Sequence, residues 1–369
     1  MIINEFKLER FFAEYEFKTR YLLCCSDCEA LLQKDLLNLA DKKRLNMWEN
    51  LSLGYTESTG HPMLKQEIAM LYKDIYPSEI LVAAPEEAIF LVMHSVLNPG
   101  DHVIVTYPGY QSLFEIAASI QCSVCPWEAD HDENGFRFDI DKLENLIQDN
   151  TKLIVINFPH NPTGALITGE ELENIVKLAD QRNIMLFSDE MYRFLEHDKK
   201  NRLESVCDLY ENGISLCGMS KSFSLAGLRI GWLATKNKKV YKQAGKLKDY
   251  TTICSSSPSE ILAIIGLRAR NIIIEKNLDL IKNNLDLLDL FFDKYNSIFQ
   301  WKRPAAGPVA FPGLKIEKPV SEFTKELLQQ KSVLLLPSDL YAYKGNNFRI
   351  GFGRKNMPES LDRLEEFIN

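Results

Sequence analysis

Short, continuous apolar runs alternate with amphipathic stretches along most of this chain. Runs at Ile80–Ala84, His102–Val105, Cys122–Trp127, Leu153–Phe158, Ile184–Phe187 and Ile214–Cys217 have the length and character of buried strands. Helical spacing predicts helices at Leu64, Ile68 and Leu71, and over Pro85–Leu97, Leu143–Ile147, Gly169–Arg182, Lys236–Lys248 and Ser321–Gln330. Ile261–Tyr295 reads as long helical stretches that link two domains, with Leu278, Ile281, Leu285 and Leu288 on one side. Alternation of this kind predicts an α/β fold, a mostly parallel sheet between helices. Asp130–Gly135 reads as a polar loop, and Lys236–Lys248 as a solvated basic face. Phe6–Phe17 is aromatic and charged, and Leu31–Leu39 has helical spacing. The expected division is an N-terminal arm over 1–45 that joins a smaller α+β domain, a large domain over 46–258, and interdomain helices with the small C-terminal domain over 259–369. Trp301–Lys315 starts the smaller domain's sheet, and Val333–Leu336 is a further strand.

Composition narrows the function. The chain has 369 residues, enough for two domains and a sizeable core. A net charge of -8 gives nucleic acid no electrostatic support. No apolar run has the length of a membrane span, and the acidic, polar N-terminus does not read as a signal peptide. Eight scattered cysteines favour reduced thiols in the cytoplasm. Cys24, Cys25 and Cys28 form C-C-x-x-C, but no second ligand pair follows at zinc-site spacing, so packing is the expected role and no metal is expected.

Candidate chemistry gathers where the strands end. Open α/β sheets bind ligands there. Lys221 follows Ile214–Cys217 in a small polar loop, where desolvation can lower its pKa and leave the amine nucleophilic. Asp189 ends Ile184–Phe187, and a carboxylate buried there calls for a cationic partner. Asn157 also lies at a strand end and ties down loop backbone; Asn161 stands in the proline- and glycine-dense loop beyond, with His160 read as a surface loop histidine. Pro85 opens a helix whose Glu86 and Glu87 amides can face an anion, although proline itself has no N–H to give. Tyr107 or Tyr110 can stack on a flat ring. Arg349 can hold a carboxylate in two parallel hydrogen bonds, whereas Arg354 reads as solvated.

Three blocks occur in order: N-F-P-H-N-P-T-G at Asn157–Gly164, S-D-E-M-Y at Ser188–Tyr192, and S-K-S-F-S-L-A-G-L-R-I-G-W at Ser220–Trp232. Together they resemble the class I/II aminotransferases, the fold-type I enzymes that use pyridoxal 5'-phosphate (PLP). The resemblance spans about Leu51 to Gly353, and V-I-N-F-P-H-N-P-T-G, K-D-Y-T-T-I-C-S-S-S-P and R-I-G-F look most like the capreomycidine synthase subgroup. It implies a seven-stranded type of sheet and a homodimer with shared active sites. It also implies transfer of an α-amino group to a 2-oxo acid through a Schiff base on Lys221, which then serves as proton carrier. By the same resemblance Asp189 pairs the pyridine nitrogen, Asn161 and Tyr192 meet the phenolic oxygen, and Tyr107 stacks on the ring. Arg229, Ser220, Ser222 and the Glu86 and Glu87 amides face the phosphate, Tyr55 reaches the partner's phosphate, and Arg349 binds the substrate carboxylate. Two positions depart from the family around that phosphate: Ala84-Pro85 replaces a Gly-Ala or Gly-Ser pair, and Gly218 stands where Ser or Thr is frequent. The same residues would equally serve a cyclase like capreomycidine synthase or a β-lyase.

Overall fold

The computed structural model describes residues 2–369. A seven-stranded sheet organises it. In chain order its strands are β1 (Ile80–Ala83), β2 (His102–Tyr107), β3 (Ser123–Glu128), β4 (Thr151–Asn157), β5 (Met185–Asp189), β6 (Gly213–Gly218) and β7 (Gly231–Ala234). In space they run β1-β7-β6-β5-β4-β2-β3. Strand β7 pairs antiparallel with β1 and β6, and the other pairs are parallel. The helices used below are α1 (Lys7–Tyr15), α2 (Pro85–Val96), α3 (Gly169–Gln181) and α4 (Arg270–Lys294).

The sheet is covered on both faces, which is why its strands read as unbroken apolar runs. Successive residues of β4 point to opposite sides: Leu153 and Val155 pack with α2, Ile154 and Ile156 with α3. Strands β6 and β7 come unusually close. Gly218 and Gly231 are direct partners, and a Cβ on Gly218 would lie 3.0 Å from the Gly231 Cα. A serine or threonine at position 218 would need that backbone to give by a few tenths of an ångström, so glycine there has a packing reason.

A second core lies beside the sheet. Tyr21–Leu22 pairs parallel with Val333–Leu334, while Val309–Ala310 and Leu336–Pro337 flank Phe348–Gly351 antiparallel. Leu23, Val333, Phe348 and Ile350 are buried together there. Helix α4 joins the two bodies: Ile273 and Ile274 pack with Trp232, and Ile281 to Phe292 pack in the second core.

The structure departs from the sequence pattern in several places. The expected strand Val333–Leu336 is split, because its two halves take different partners. Asp130–Asp132 and Gly135–Arg137 form a hairpin rather than a loop. Lys248 is buried, its Nζ donating to Thr252 Oγ1 at 2.9 Å, so the helix before it is not wholly a solvated face. Phe6–Phe17 contains α1, whose Leu8, Phe11, Phe12 and Tyr15 pack against Phe311, Leu334 and Tyr341.

Candidate active site

The parallel strands end at one cavity of about 380 Å³. Asn157 reaches it from the end of β4, Asp189 from β5, and Ser220 and Lys221 from the loop after β6. Asn157 is a brace: its Nδ2 donates to the Asp189 carbonyl, and its Oδ1 accepts from the Asn161 amide. That fixes the loop so that Asn161 Oδ1 accepts from Arg349 Nη1 at 3.2 Å, while Asn161 Nδ2 has no partner among the described residues.

Asp189 is 6% exposed and accepts from the Met191 amide at 3.0 Å. Burial, above all, pushes its carboxyl up to about 7. No lysine or arginine pairs with it among the described residues, so the site holds an ionisable group that a nearby cation would stabilise. Lys221 Nζ donates to Ser26 Oγ at 2.7 Å, and burial lowers the pKa of its ammonium. Tyr192 is buried, and its hydroxyl donates to the Ser26 carbonyl at 3.0 Å.

Arg349 is 1% exposed, and no carboxylate pairs with it among the described residues. Its Nε and Nη2 donate to the Cys24 carbonyl at 3.1 and 2.9 Å. A buried guanidinium without an anion is costly, so this end of the cavity is built for a carboxylate brought from outside.

The anion end is more open. Arg229 faces the cavity from a left-handed residue (φ 54°), a strained conformation for a branched-out side chain at a site. The Ser220 hydroxyl is buried with no partner. Helix α2 starts at Pro85, which leaves the Glu86 and Glu87 amides as its first free donors. The Glu87 carboxylate turns away, taking hydrogen bonds from the Ala84 amide and from the Thr251 and Thr252 hydroxyls. The Glu86 carboxyl lines the cavity, and burial raises its pKa.

The other residues singled out in the sequence fall inside and outside the cavity. Tyr107 is not brought to the cavity: its hydroxyl donates to the carbonyls of Tyr341 and Ala342, and its ring packs edge-on to Phe114. Tyr110 lines the cavity instead. Ser222 donates to the Met191 and Arg193 carbonyls and so holds the chain rather than facing an anion. His160 is fully buried, not on the surface, with its ring on Thr163 Oγ1 and its pKa pushed down to about 3 by burial. Arg354 is not simply solvated, because it pairs with both oxygens of Asp27 at 2.9 Å. Glu190 is structural, accepting from the Val206 amide and the Ser215 hydroxyl. Tyr55 lies away from this cavity, 92% exposed. Cys24, Cys25 and Cys28 are buried free thiols, and no metal-binding cluster occurs among the described residues.

The sequence reading missed the second wall. Leu8, Glu9, Phe12, Glu16 and Ser26 line the cavity from the N-terminal segment. The apolar spacing of Leu8, Phe12 and Tyr15 signals a helix, but nothing local signals where it docks.

A doubly covered, mostly parallel sheet whose strand ends bring a lysine and a buried aspartate to a cavity that an unpaired arginine closes from the second sheet is a ligand site of the open α/β class. The chain matches the family "Aminotransferase class I and II" over residues 39–365, and it belongs to that family, whose members use PLP. It is 30% identical to a probable N-acetyl-LL-diaminopimelate aminotransferase of Bacillus subtilis (strain 168), over 89% of this chain and 84% of that one. It is 29% identical to the capreomycidine synthase of Streptomyces vinaceus, over 76% of this chain and 72% of that one. A solved PLP-dependent aminotransferase from Streptococcus suis 89-1591 superimposes with a TM-score of 0.93 at 30% identity, covering 100% of this chain and 98% of that chain. The fold is that of the fold-type I PLP-dependent transferases.

Proposed function

We propose that this enzyme moves the amino group of an α-amino acid to a 2-oxo acid, with Lys221 as the residue that holds the cofactor and carries the proton. The single observation that carries this reading is the convergence of Lys221, Asp189 and Arg349 on one cavity. The residues fit PLP. The orphaned Ser220 hydroxyl, Arg229 and the Glu86 and Glu87 amides would hold its phosphate, despite Ala84-Pro85 and Gly218. Asp189 would hold its ring nitrogen, the free Asn161 Nδ2 its phenolic oxygen, and Lys221 its aldehyde carbon. Tyr110, which lines the cavity where Tyr107 does not, would stack on it. Bound there, PLP supplies an electron-withdrawing ring that makes the substrate Cα–H acidic.

The chain's own residues supply the rest. Arg349 holds the α-carboxylate and so fixes which bond at Cα faces Lys221. Lys221 Nζ, its ammonium pKa lowered by burial, takes the Cα proton. Ser26 Oγ accepts from the Lys221 amine and orients it. Tyr192 has a single O–H, which is committed to Ser26, so it steadies that residue and must turn its hydroxyl to reach a cofactor oxygen.

The same reading makes the molecule a homodimer with shared sites. Tyr55 stands on a loop held by Glu260, which accepts from the Thr56 hydroxyl and the His61 amide. Leu53 and Tyr250 are exposed, at 85% and 91%, as an apolar face that a second copy would cover. The eight free thiols accord with a reducing compartment, and no helix is long and apolar enough to cross a membrane among the described residues.

A second reading, ring closure or elimination on the same site, is favoured by the match to capreomycidine synthase. Product analysis separates them. Incubation of the PLP-loaded enzyme with an amino acid and a 2-oxo acid is expected to yield the exchanged pair. Ammonia, pyruvate or a cyclised amino acid without exchange would sink the aminotransferase reading.

A further inference from the structure

The charges around the cavity do not balance, and the imbalance is on one wall. Glu9 and Glu16, seven residues apart along α1 and its C-cap, share a helix face with Phe12 between them, and all three line the cavity. The Phe12 ring lies 5.9 Å from the Arg349 guanidinium carbon, so this acidic face adjoins the carboxylate anchor. The cavity's cations, among the described residues, are Lys221, Arg229 and Arg349. The proposed function assigns Lys221 and Arg229 to the cofactor and Arg349 to the α-carboxylate. Of the remaining acids, Asp189 would meet the ring nitrogen, and Asp27 is already held by Arg354.

Glu9 and Glu16 are left over with the Glu86 carboxyl, which sits at the start of α2 on the anion side. Glu9 Oε1 accepts only the neutral Tyr110 hydroxyl, at 3.2 Å. The Glu16 carboxylate makes no hydrogen bond and no ion pair among the described residues, although the residue is half-buried. Burial raises its pKa despite the attraction of Arg354, which Asp27 engages. One cavity therefore holds a fully buried arginine paired with no anion and, adjoining it, two carboxylates that no lysine or arginine pairs with among the described residues.

We infer, resting on the aminotransferase reading, that the amino donor carries a cationic side chain, an ammonium or guanidinium group, which Glu9 and Glu16 receive while Arg349 holds its α-carboxylate. An apolar side chain would leave Glu16 desolvated and unpaired. An acidic one would meet like charge. Glu9 and Glu16 are thus specificity residues, distinct from those that handle the Cα proton.

The test uses α-methyl amino acids, which lack the Cα proton and so bind without being transaminated. Dissociation constants of α-methylornithine, α-methylnorleucine and α-methylaspartate are measured by calorimetry on the PLP-loaded enzyme and on Glu16→Gln and Glu9→Gln. The ornithine analogue is expected to bind at least about tenfold more tightly than the norleucine analogue, about 1.4 kcal/mol. Aspartate's analogue is expected to bind most weakly. Glu16→Gln should shrink the ornithine-to-norleucine ratio about tenfold, and the more exposed Glu9→Gln should shrink it less. Tightest binding of the aspartate analogue, or equal weakening of all three by Glu16→Gln, would overturn the inference. Absence of any 2-oxo acid with reactive donors would instead overturn transamination, and the binding order would still be read.

Discussion

The strand-end wall of the cavity and the wall made by residues 8–27 differ in what holds them. Asn157, Asp189 and Lys221 stand at or just beyond the ends of adjacent strands whose backbones pair through the middle of the sheet. Their positions are fixed by many cooperative contacts. The N-terminal wall is held from outside the large sheet: Tyr21–Leu22 pair with Val333–Leu334, Arg354 grips both Asp27 oxygens, Arg349 donates twice to the Cys24 carbonyl, and α1 is tied by Asn4 to Glu115, the Lys7 amide to Gln111 and Tyr110 to Glu9. A wall built on adjacent strand ends suits chemistry that every substrate shares, and a wall brought in from a distant segment suits discrimination among side chains.

Substitutions sharpen that contrast, and the largest effect is expected at the strand-end wall. Lys221→Ala should lower kcat for every donor by about a thousandfold or more. It should also remove the borohydride-fixed cofactor adduct seen by mass spectrometry; retention of that adduct would place the attachment elsewhere. Arg349→Ala removes the one cation available to the α-carboxylate and is expected to raise KM by about a hundredfold or more across donors. The visible spectrum of the loaded enzyme should stay as it was, and a normal KM would end Arg349's assigned role.

Asp189 offers a test on the cofactor-free protein. Its folded carboxyl titrates at about 7, above the usual carboxylate range. The folded chain therefore binds one more proton than the unfolded chain between about pH 4 and pH 7. Stability is full below that window and is lost as pH rises through it, by up to about 4 kcal/mol. Asp189→Asn should match the wild type in urea unfolding at pH 4 and exceed it at pH 8. Equal midpoints at both values would mean that Asp189 is not the strained group described above.

At the hinge between the walls the expected effect is smallest. Ser26→Ala deletes one hydrogen bond to Lys221 and should cost about threefold to tenfold in kcat, with a shift in the basic or acidic limb of the pH–rate profile. A loss as large as that of Lys221→Ala would make Ser26 a direct participant instead.

The same contrast explains what could be read from the chain. Residues 157–164, 188–192 and 220–232 are local signals, since each motif is a strand end plus its loop, and the strand pattern places it. Asp189 is legible because a carboxylate at the end of a buried run calls for a cationic partner, whereas Lys221, a loop lysine that alone says little, is legible through the blocks around it. Gly218 looked like a missing phosphate contact, and its reason, Gly231 across the strand pair, is visible only in the sheet. Ser26 and Glu16 carry no local mark at all. Ser26 meets Lys221 across 195 residues of sequence, and only tertiary packing brings it and Glu16 to the cavity. The choice between Tyr107 and Tyr110 failed for a related reason: the loop after β2 turns the first tyrosine toward the carbonyls of Tyr341 and Ala342.

The most direct measurement is the visible spectrum of the PLP-loaded enzyme through one half-cycle, titrated with an amino-acid panel and then with a 2-oxo acid. The cofactor band is expected to bleach with a donor, to release one equivalent of the matching 2-oxo acid, and to return when a second 2-oxo acid is added. A band that no donor bleaches, or that bleaches without release of a 2-oxo acid, would contradict amino-group transfer at this site.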